Sequence, residues 1–146
     1  NFARFWFRFI EPNLPALRRG EIERVLSLIK TDFNAYAGLG FEILSKELLA
    51  KYLNLEISQI SSFWNKEVEI DIYAKFESFC VAGECKYKER KISKNVLNEL
   101  ILKCEKARLA PDLLALFSKS GFSGELRSLK SDKILLFSLE DFKILL

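Results

Sequence analysis

The sequence predicts an α/β domain, a three-layer sandwich around a mixed central sheet, with an N-terminal helical extension. Residues 67–74 and 80–86 alternate apolar and polar side chains, the period of β-strands, and two more apolar strands are predicted at 113–118 and 134–137. Residues 21–30, about 35–53 and the stretch after Ser93 instead carry apolar residues at helical spacing. Strands interleaved with helices favour an α/β architecture.

The composition limits the types of metal site and catalytic group that this chain can form. Its 146 residues, 49% of them hydrophobic, can bury a core without disulfides or metal staples. The three cysteines form no metal-binding spacing and histidine is absent, so we expect reduced, buried thiols and neither a zinc site nor a histidine-assisted nucleophile. Catalysis would therefore need carboxylates, lysine and a hard metal ion.

The chain shows no apolar run of membrane-spanning length and no signal-peptide layout. We therefore expect a cytoplasmic protein with no membrane partner. It begins at Asn1 and contains no methionine, from which we expect a fragment of a longer protein.

Residues 1–33 form the predicted N-terminal extension. Its first part is an aromatic cluster, which consists of Phe2, Phe5, Trp6, Phe7 and Phe9. We expect these rings to pack on the core, because exposed apolar patches of this size are uncommon; an interface with a missing domain or with a second copy is the alternative. An amphipathic helix over 21–30 completes the extension.

Residues 34–146 form the predicted main domain, which opens with a helix from about Ala35 to Leu53. Thr31, Asp32 and Asn34 are candidates to cap its start. The helix carries Glu42 on a face of mostly apolar or small residues, where a carboxylate needs a partner. One interpretation is a salt bridge with Lys46 one turn on, and the other is a role in a site shared with later acids.

The two strands at 67–74 and 80–86 carry the central polar residues. Val68, Ile70, Ile72 and Ala74 predict one buried face, from which Asp71 points away. In the second strand, Glu84 and Lys86 share a face opposite Val81 and Cys85. The short connection at 75–79 predicts an antiparallel hairpin that brings Asp71 beside Glu84 and Lys86.

The chain turns basic directly after this hairpin. Residues 86–108 hold eight Lys or Arg against three Glu, whereas residues 67–84 hold five acids against one Lys. This order of charges fits a site in which acids hold a cation while the neighbouring positive charge attracts a polyanion. The alternative is a solvated helix face. Beyond the helix that Ser93 caps, we expect a turn at 120–122, a short helix at 123–129 and a final helix at 139–146.

Asp71 followed a dozen residues later by Glu84-x-Lys86 resembles the PD-(D/E)XK nuclease superfamily. A wider set of segments is similar to domain-of-unknown-function family 234, whose members usually follow an archaeal-type P-loop ATPase. These segments are Phe5–Asn13, Gly40–Glu42, Phe63–Trp64, Glu69–Ile72, Gly83–Lys86 and Phe117–Phe122. The resemblance implies a restriction-endonuclease-like fold for 34–146 and an N-terminal P-loop ATPase as the missing partner.

The resemblance also implies a metal-dependent nuclease. Glu42, Asp71 and Glu84 would bind Mg²⁺ or Mn²⁺, and Asp71, Glu84 and Lys86 would be catalytic. A basic segment would contact DNA phosphates without reading sequence, through Lys88, Arg90, Lys91 and Lys94.

The alternative is a catalytically inactive nuclease-like domain that binds nucleic acid or mediates assembly with the ATPase; a homo-oligomer also stays open. Two departures from the nuclease pattern bear on activity. Ile70 stands where the superfamily name has proline, and the helix after Lys86 lacks the glutamine of the RecB-like branch.

Overall fold

The carboxyl-terminal part of the chain is built on one five-stranded sheet. The computed structural model describes residues 2–146, and its strands are β1 (Ser61–Trp64), β2 (Glu69–Lys75), β3 (Cys80–Lys86), β4 (Leu113–Ser118) and β5 (Ile134–Ser138). The strands lie side by side in chain order. β2 pairs antiparallel with β1 and with β3, whereas β4 pairs parallel with β3 and with β5. The predicted α/β class with a mixed sheet is confirmed.

Helical segments make up much of the remaining chain. The α-helices are α1 (Phe2–Phe5), α2 (Leu14–Arg18), α3 (Ile22–Leu53), α4 (Lys94–Lys106) and α5 (Gly124–Ser128). A π-helical turn covers Trp6–Ile10, and 3₁₀ segments cover Glu11–Asn13, Ile57–Gln59 and Leu139–Leu145. The predicted final helix is therefore a 3₁₀ segment. Within residues 2–146, no helix combines the length and apolarity that crossing a membrane requires.

The chain divides into two units between Ala37 and Gly38, near the predicted boundary after residue 33. In the first unit Phe9 is buried, and its ring centre lies 5.2 Å from that of Phe5 and 5.5 Å from that of Tyr36. Phe2 and Phe7 are exposed. Packing of the extension on the core stays a prediction, and Asn1 lies outside the described residues.

Helix α3 runs through the predicted break at residues 31–34. The Thr31 hydroxyl donates to the backbone carbonyl of Ser27, with 3.0 Å between the oxygens, and so bonds back into the helix instead of capping a new one. The two-helix prediction was wrong because cap-forming residues also fit a helix interior when no proline follows them.

The sheet carries a hydrophobic core on each face. On one face, Phe41 and Leu48 of α3 belong to the same buried cluster as Phe117 of β4. On the other face, Leu100 of α4 is clustered with Leu116, the neighbouring residue of β4. Because successive strand residues point to opposite faces, α3 covers one face while α4 and α5 cover the other.

Strand β2 departs from the single buried face that its alternation predicted. Ile70 belongs to the core under α4, whereas Ile72 belongs to the core under α3. The cause is a register shift against β1: Ser61 pairs with Tyr73 and Phe63 with Ile70, so that β2 has one residue more in this interval. The extra residue switches the face to which the following side chains point.

The three cysteines are free thiols. Cys80 and Cys104 are buried and Cys85 is partly buried. Burial raises the pKa of the Cys104 thiol to about 11, so this thiol stays protonated at neutral pH. The expectation of buried thiols is therefore confirmed for Cys80 and Cys104, and only in part for Cys85.

Gly83 is expected to be required for stability because β3 approaches β4 closely there. A Cβ at Gly83 would lie 2.9 Å from the backbone oxygen of Ala115 and 3.2 Å from Cβ of Ile72. We expect Gly83→Ala to lower the free energy of unfolding by about 1–3 kcal/mol, measured by urea denaturation. Gly40→Ala is the control: a Cβ there meets nothing within 4 Å, and alanine should stabilise α3 by up to about 1 kcal/mol. Equal stability of Gly83→Ala and wild type would contradict this account.

Candidate active site

From the turn towards the open end of the β2–β3 hairpin, backbone pairing stops at Ile72, one residue short of Asp71. Pairs run from Lys75 with Cys80 to Ile72 with Gly83. Beyond the last pair, the backbone N–H of Cys85 donates to the Asp71 carboxylate, with 2.8 Å between N and Oδ2. The side chain thus satisfies a strand N–H that lies beyond the last backbone pair. This bond fixes the Asp71 carboxylate against β3.

Two lysines hold the Glu84 carboxylate. Its side chain is only 5% exposed, and Lys86 Nζ lies 2.6 Å from Oε1 while Lys103 Nζ lies 2.8 Å from Oε2. Lys86 reaches it because the two side chains share a face of β3, as their spacing predicted. Lys103 reaches it from α4. A buried carboxylate needs such pairing to offset the loss of its hydration.

Lys86 is a cation at neutral pH. Burial favours its uncharged form, but the hydrogen bond to Glu84 and the charges of Glu84 and Asp71 outweigh burial, so its pKa is raised above the usual value. Lys86 is therefore suited to stabilise negative charge, and less suited to remove a proton from water.

Glu42 forms the salt bridge with Lys46 that its position in the helix allowed. The two charged atoms, Nζ and Oε1, lie 2.6 Å apart. Lys46 also donates to the Ser62 hydroxyl, which lies 3.0 Å from the backbone oxygen of Asp71 and 3.3 Å from Glu42 Oε1. One hydroxyl hydrogen can serve only one of these two acceptors at a time. The network links α3 to the strand segment that carries Asp71.

The charges of the three predicted ligands act on one another. Burial raises the pKa of Asp71, and the negative charges of Glu84 and Glu42 raise it further, whereas the Cys85 N–H lowers it. Like charges thus make the ionised form of Asp71 costly, and a cation beside it would favour that form.

These carboxylates fit a hard divalent ion in donor chemistry. Mg²⁺ and Mn²⁺ prefer oxygen ligands, and Asp71 uses Oδ2 for the Cys85 N–H, so a second oxygen remains for an ion. Lysines contact Glu42 Oε1 and both oxygens of Glu84. Within residues 2–146, no group of three or more Asp, Glu, Cys or His side chains is arranged to hold a metal ion. A cation bound at Glu84 would share this carboxylate with the two lysines or displace one of them.

A cationic cavity of about 450 Å³ opens beside Lys86. The charged and polar residues that line it are Lys86, Lys88, Arg90, Lys91, Ser93, Asn95 and Glu99. Three of the four predicted phosphate contacts therefore share one concave surface. The fourth, Lys94, does not line it and lies 3.6 Å from Glu125.

The β4–α5 loop holds the basic loop of residues 87–93 in place. The Ser120 hydroxyl donates to the backbone oxygen of Lys88 at 2.7 Å, and the Ile92 N–H donates to the backbone oxygen of Gly121 at 3.0 Å. Gly121 has a φ of +79°, a left-handed conformation that glycine adopts without strain. Lys119 pairs with Glu89. Segment 117–122 thus supports the cationic cavity.

Sequence reasoning missed two charged residues of α4. Lys103 pairs with Glu84, and Glu99 lines the cationic cavity close enough to Lys86 for its charge to contribute to the raised Lys86 pKa. They lie four residues apart, beside the buried stripe of Leu100 and Cys104. Opposite charges at this spacing next to a buried stripe are the signal that would have found them.

Comparisons with known proteins place these residues in a family context. An uncharacterized protein of Methanocaldococcus jannaschii is 32% identical over 151 residues, an alignment that covers 97% of this chain and 33% of that protein. The chain thus spans about a third of that relative. A crystal structure of a protein of unknown function is 18% identical, covers 66% of this chain and 58% of its own, and superposes with a TM-score of 0.42.

A family profile matches residues 6–100, a range that includes Glu42, Asp71, Glu84 and Lys86. The family is described as archaeal and bacterial proteins of unknown function. Because the match covers more than half of the sequence, the chain belongs to the DUF234 family.

Proposed function

We propose that the chain is a metal-dependent nuclease domain that hydrolyses DNA phosphodiester bonds, with Asp71, Glu84 and Lys86 as its catalytic residues. The observation that carries the proposal is the position of Lys86. This lysine is paired with the buried Glu84 and also lines the cationic cavity. A phosphate bound in the cavity would therefore lie next to the carboxylates.

Each residue has a role that its surroundings support. Asp71 and Glu84, with Glu42, would hold Mg²⁺ or Mn²⁺; such an ion, when bound, lowers the pKa of its water and neutralises phosphate charge. Lys86 stabilises the negative charge that develops on the phosphate, since it is cationic and beside the carboxylates. Lys88, Arg90 and Lys91 neutralise neighbouring phosphates of the backbone.

In the longer protein, this domain follows a P-loop ATPase that controls it. This part of the proposal draws on the family resemblance and on length: the chain spans only a third of the Methanocaldococcus relative, which leaves room for a further domain.

A second candidate function is a domain that binds nucleic acid or assembles with the ATPase without turnover. The observation that favours it is the occupation of both Glu84 oxygens by lysines, which leaves that carboxylate no oxygen free of an ion pair. The cationic cavity would then bind DNA alone.

The two candidates separate in one experiment on the wild-type chain. Mg²⁺ and Mn²⁺ are titrated by calorimetry, and cleavage of labelled single-stranded, double-stranded and branched DNAs is followed with and without EDTA. Metal uptake with EDTA-sensitive cleavage supports the nuclease. DNA binding with neither uptake nor cleavage would establish the second candidate and overturn the first.

A further inference from the structure

The first part of helix α3 exposes apolar side chains at the spacing of a helix–helix contact. Four apolar residues follow one another at intervals of four, three and four residues, which is the spacing of the a and d positions of a heptad repeat. Ile22, Leu26 and Phe33 are 57%, 40% and 44% exposed, and Ile29 is partly buried. These four residues form one stripe along the helix, the α3 seam, which is largely open to solvent.

One flank of the α3 seam is occupied within the same unit of the chain. Val25 and Asp32 hold the g positions of the heptad there. Val25 is buried, and the Asp32 carboxylate lies 3.4 Å from the Arg8 guanidinium. A partner helix that packed on the seam would therefore meet the opposite flank.

That opposite flank carries two opposite charges one heptad apart. Glu23 and Lys30 hold its e positions, both are exposed, and no ion pair joins either of them to another residue within 2–146. In an antiparallel pair of identical helices the e positions of the two copies face each other, so Glu23 of each copy would lie beside Lys30 of the other. In a parallel pair e positions face g positions, and Lys30 would meet the buried Val25. The charges therefore favour the antiparallel arrangement.

The apolar residues complement one another in this same arrangement. With the helices antiparallel, Ile22 stacks on Phe33 of the second copy, and Leu26 stacks on Ile29 of the second copy. Two-fold symmetry repeats both contacts, so all four residues of the α3 seam find an apolar neighbour. The surface is thus complementary to itself in shape of pattern and in charge.

We propose that the α3 seam is an interface with a second copy of this chain, formed by an antiparallel pair of α3 helices. The interface requires neither nuclease activity nor DNA, so it goes beyond the proposed function. The seam extends over about 18 Å of helix. An interface this short buries little area, and the dimer should therefore be weak and form as the protein concentration rises.

Sedimentation velocity of wild type from about 1 µM to about 1 mM tests this association. The sedimenting species should change from monomer to dimer over this range. Leu26→Gln removes an apolar side chain from each copy and should raise the dissociation constant at least roughly a hundredfold. Leu102→Gln is the control, since Leu102 is equally exposed, at 54%, but lies on α4. A monomeric wild type, or a Leu26→Gln variant that associates as wild type does, would overturn the proposal.

Charge reversal tests the antiparallel pairing on exposed positions where the fold is not at risk. Glu23→Lys and Lys30→Glu each place two like-charged pairs in the dimer, so each alone should weaken association roughly tenfold. An equimolar mixture of the two variants should associate as tightly as wild type, because every substituted side chain then faces an opposite charge.

The control mixture combines Glu140→Lys with Lys130→Glu, which repeat the charge changes at exposed positions outside α3. These variants should associate as wild type does, both alone and mixed. Failure of the Glu23→Lys and Lys30→Glu mixture to regain affinity would overturn the antiparallel pairing, and so would equal behaviour of the two mixtures and their single variants.

Discussion

Asp71→Asn is expected to abolish DNA cleavage while the domain stays folded and still binds DNA. Asparagine retains an oxygen that can accept the Cys85 N–H, which the structure places 2.8 Å from the carboxylate. What it loses is the negative charge that an ion requires. We expect the single-turnover cleavage rate to fall by roughly 10²–10³-fold or more, with little change in thermal unfolding. Alanine is a poorer choice, because it would leave the Cys85 N–H without its acceptor.

Asp112→Asn is the matched control. The carboxylate of Asp112 accepts the backbone N–H of Cys80 at 2.8 Å, the same type of contact at the opposite end of β3. Loss of charge there should leave cleavage unchanged. A folded Asp71→Asn variant that cleaves as fast as wild type would rule out Asp71 as a catalytic residue and favour the domain without turnover.

Neutralising Lys88, Arg90 and Lys91 together is expected to weaken DNA binding and to reduce its salt dependence. The three side chains line one cavity with Lys86, so they can contact consecutive phosphates. Each lost phosphate contact lowers the slope of log affinity against log salt by about 0.9, so the triple alanine variant should lose roughly 2–3 in slope. At low salt its affinity should fall by roughly two orders of magnitude. Fluorescence anisotropy with labelled duplex DNA at several salt concentrations measures both quantities.

A variant of equal charge change serves as the control for this prediction. Lys130, Lys133 and Lys143 are exposed and lie outside the cationic cavity. Their triple replacement by alanine should change the slope far less. If both variants lost affinity equally, net charge and not the cavity would govern binding, and the proposed DNA surface would be wrong.

The hairpin at the centre of the candidate site could be predicted from the sequence alone. Strand period and a short connection are local properties, and they placed Glu84 and Lys86 on one face of β3 and paired β3 antiparallel with β2. The same reasoning gave β4 at its exact bounds. Local pattern was sufficient there because β2 and β3 are paired strands that lie close together in sequence, and β4 is itself strongly apolar.

The tertiary structure decided the partners of the carboxylates. Lys103 is 19 residues from Glu84 and Ser62 is 20 residues from Glu42. Whether such pairs meet depends on where α4 packs on the sheet and on how β1 pairs with β2. The packing of buried residues such as Leu97, Leu100 and Cys104 determines the position of α4.

The extra residue in β2 is a second feature that the sequence did not predict and the tertiary structure decided. Alternation in the sequence implied that Ile70 and Ile72 share a face, and pairing with β1 separated them onto two cores. The sequence by itself therefore determined which acids and bases neighbour one another along the hairpin. Only the tertiary structure decided which charges neutralise them, because contacts between distant segments depend on the packing of the whole core and not on any local period.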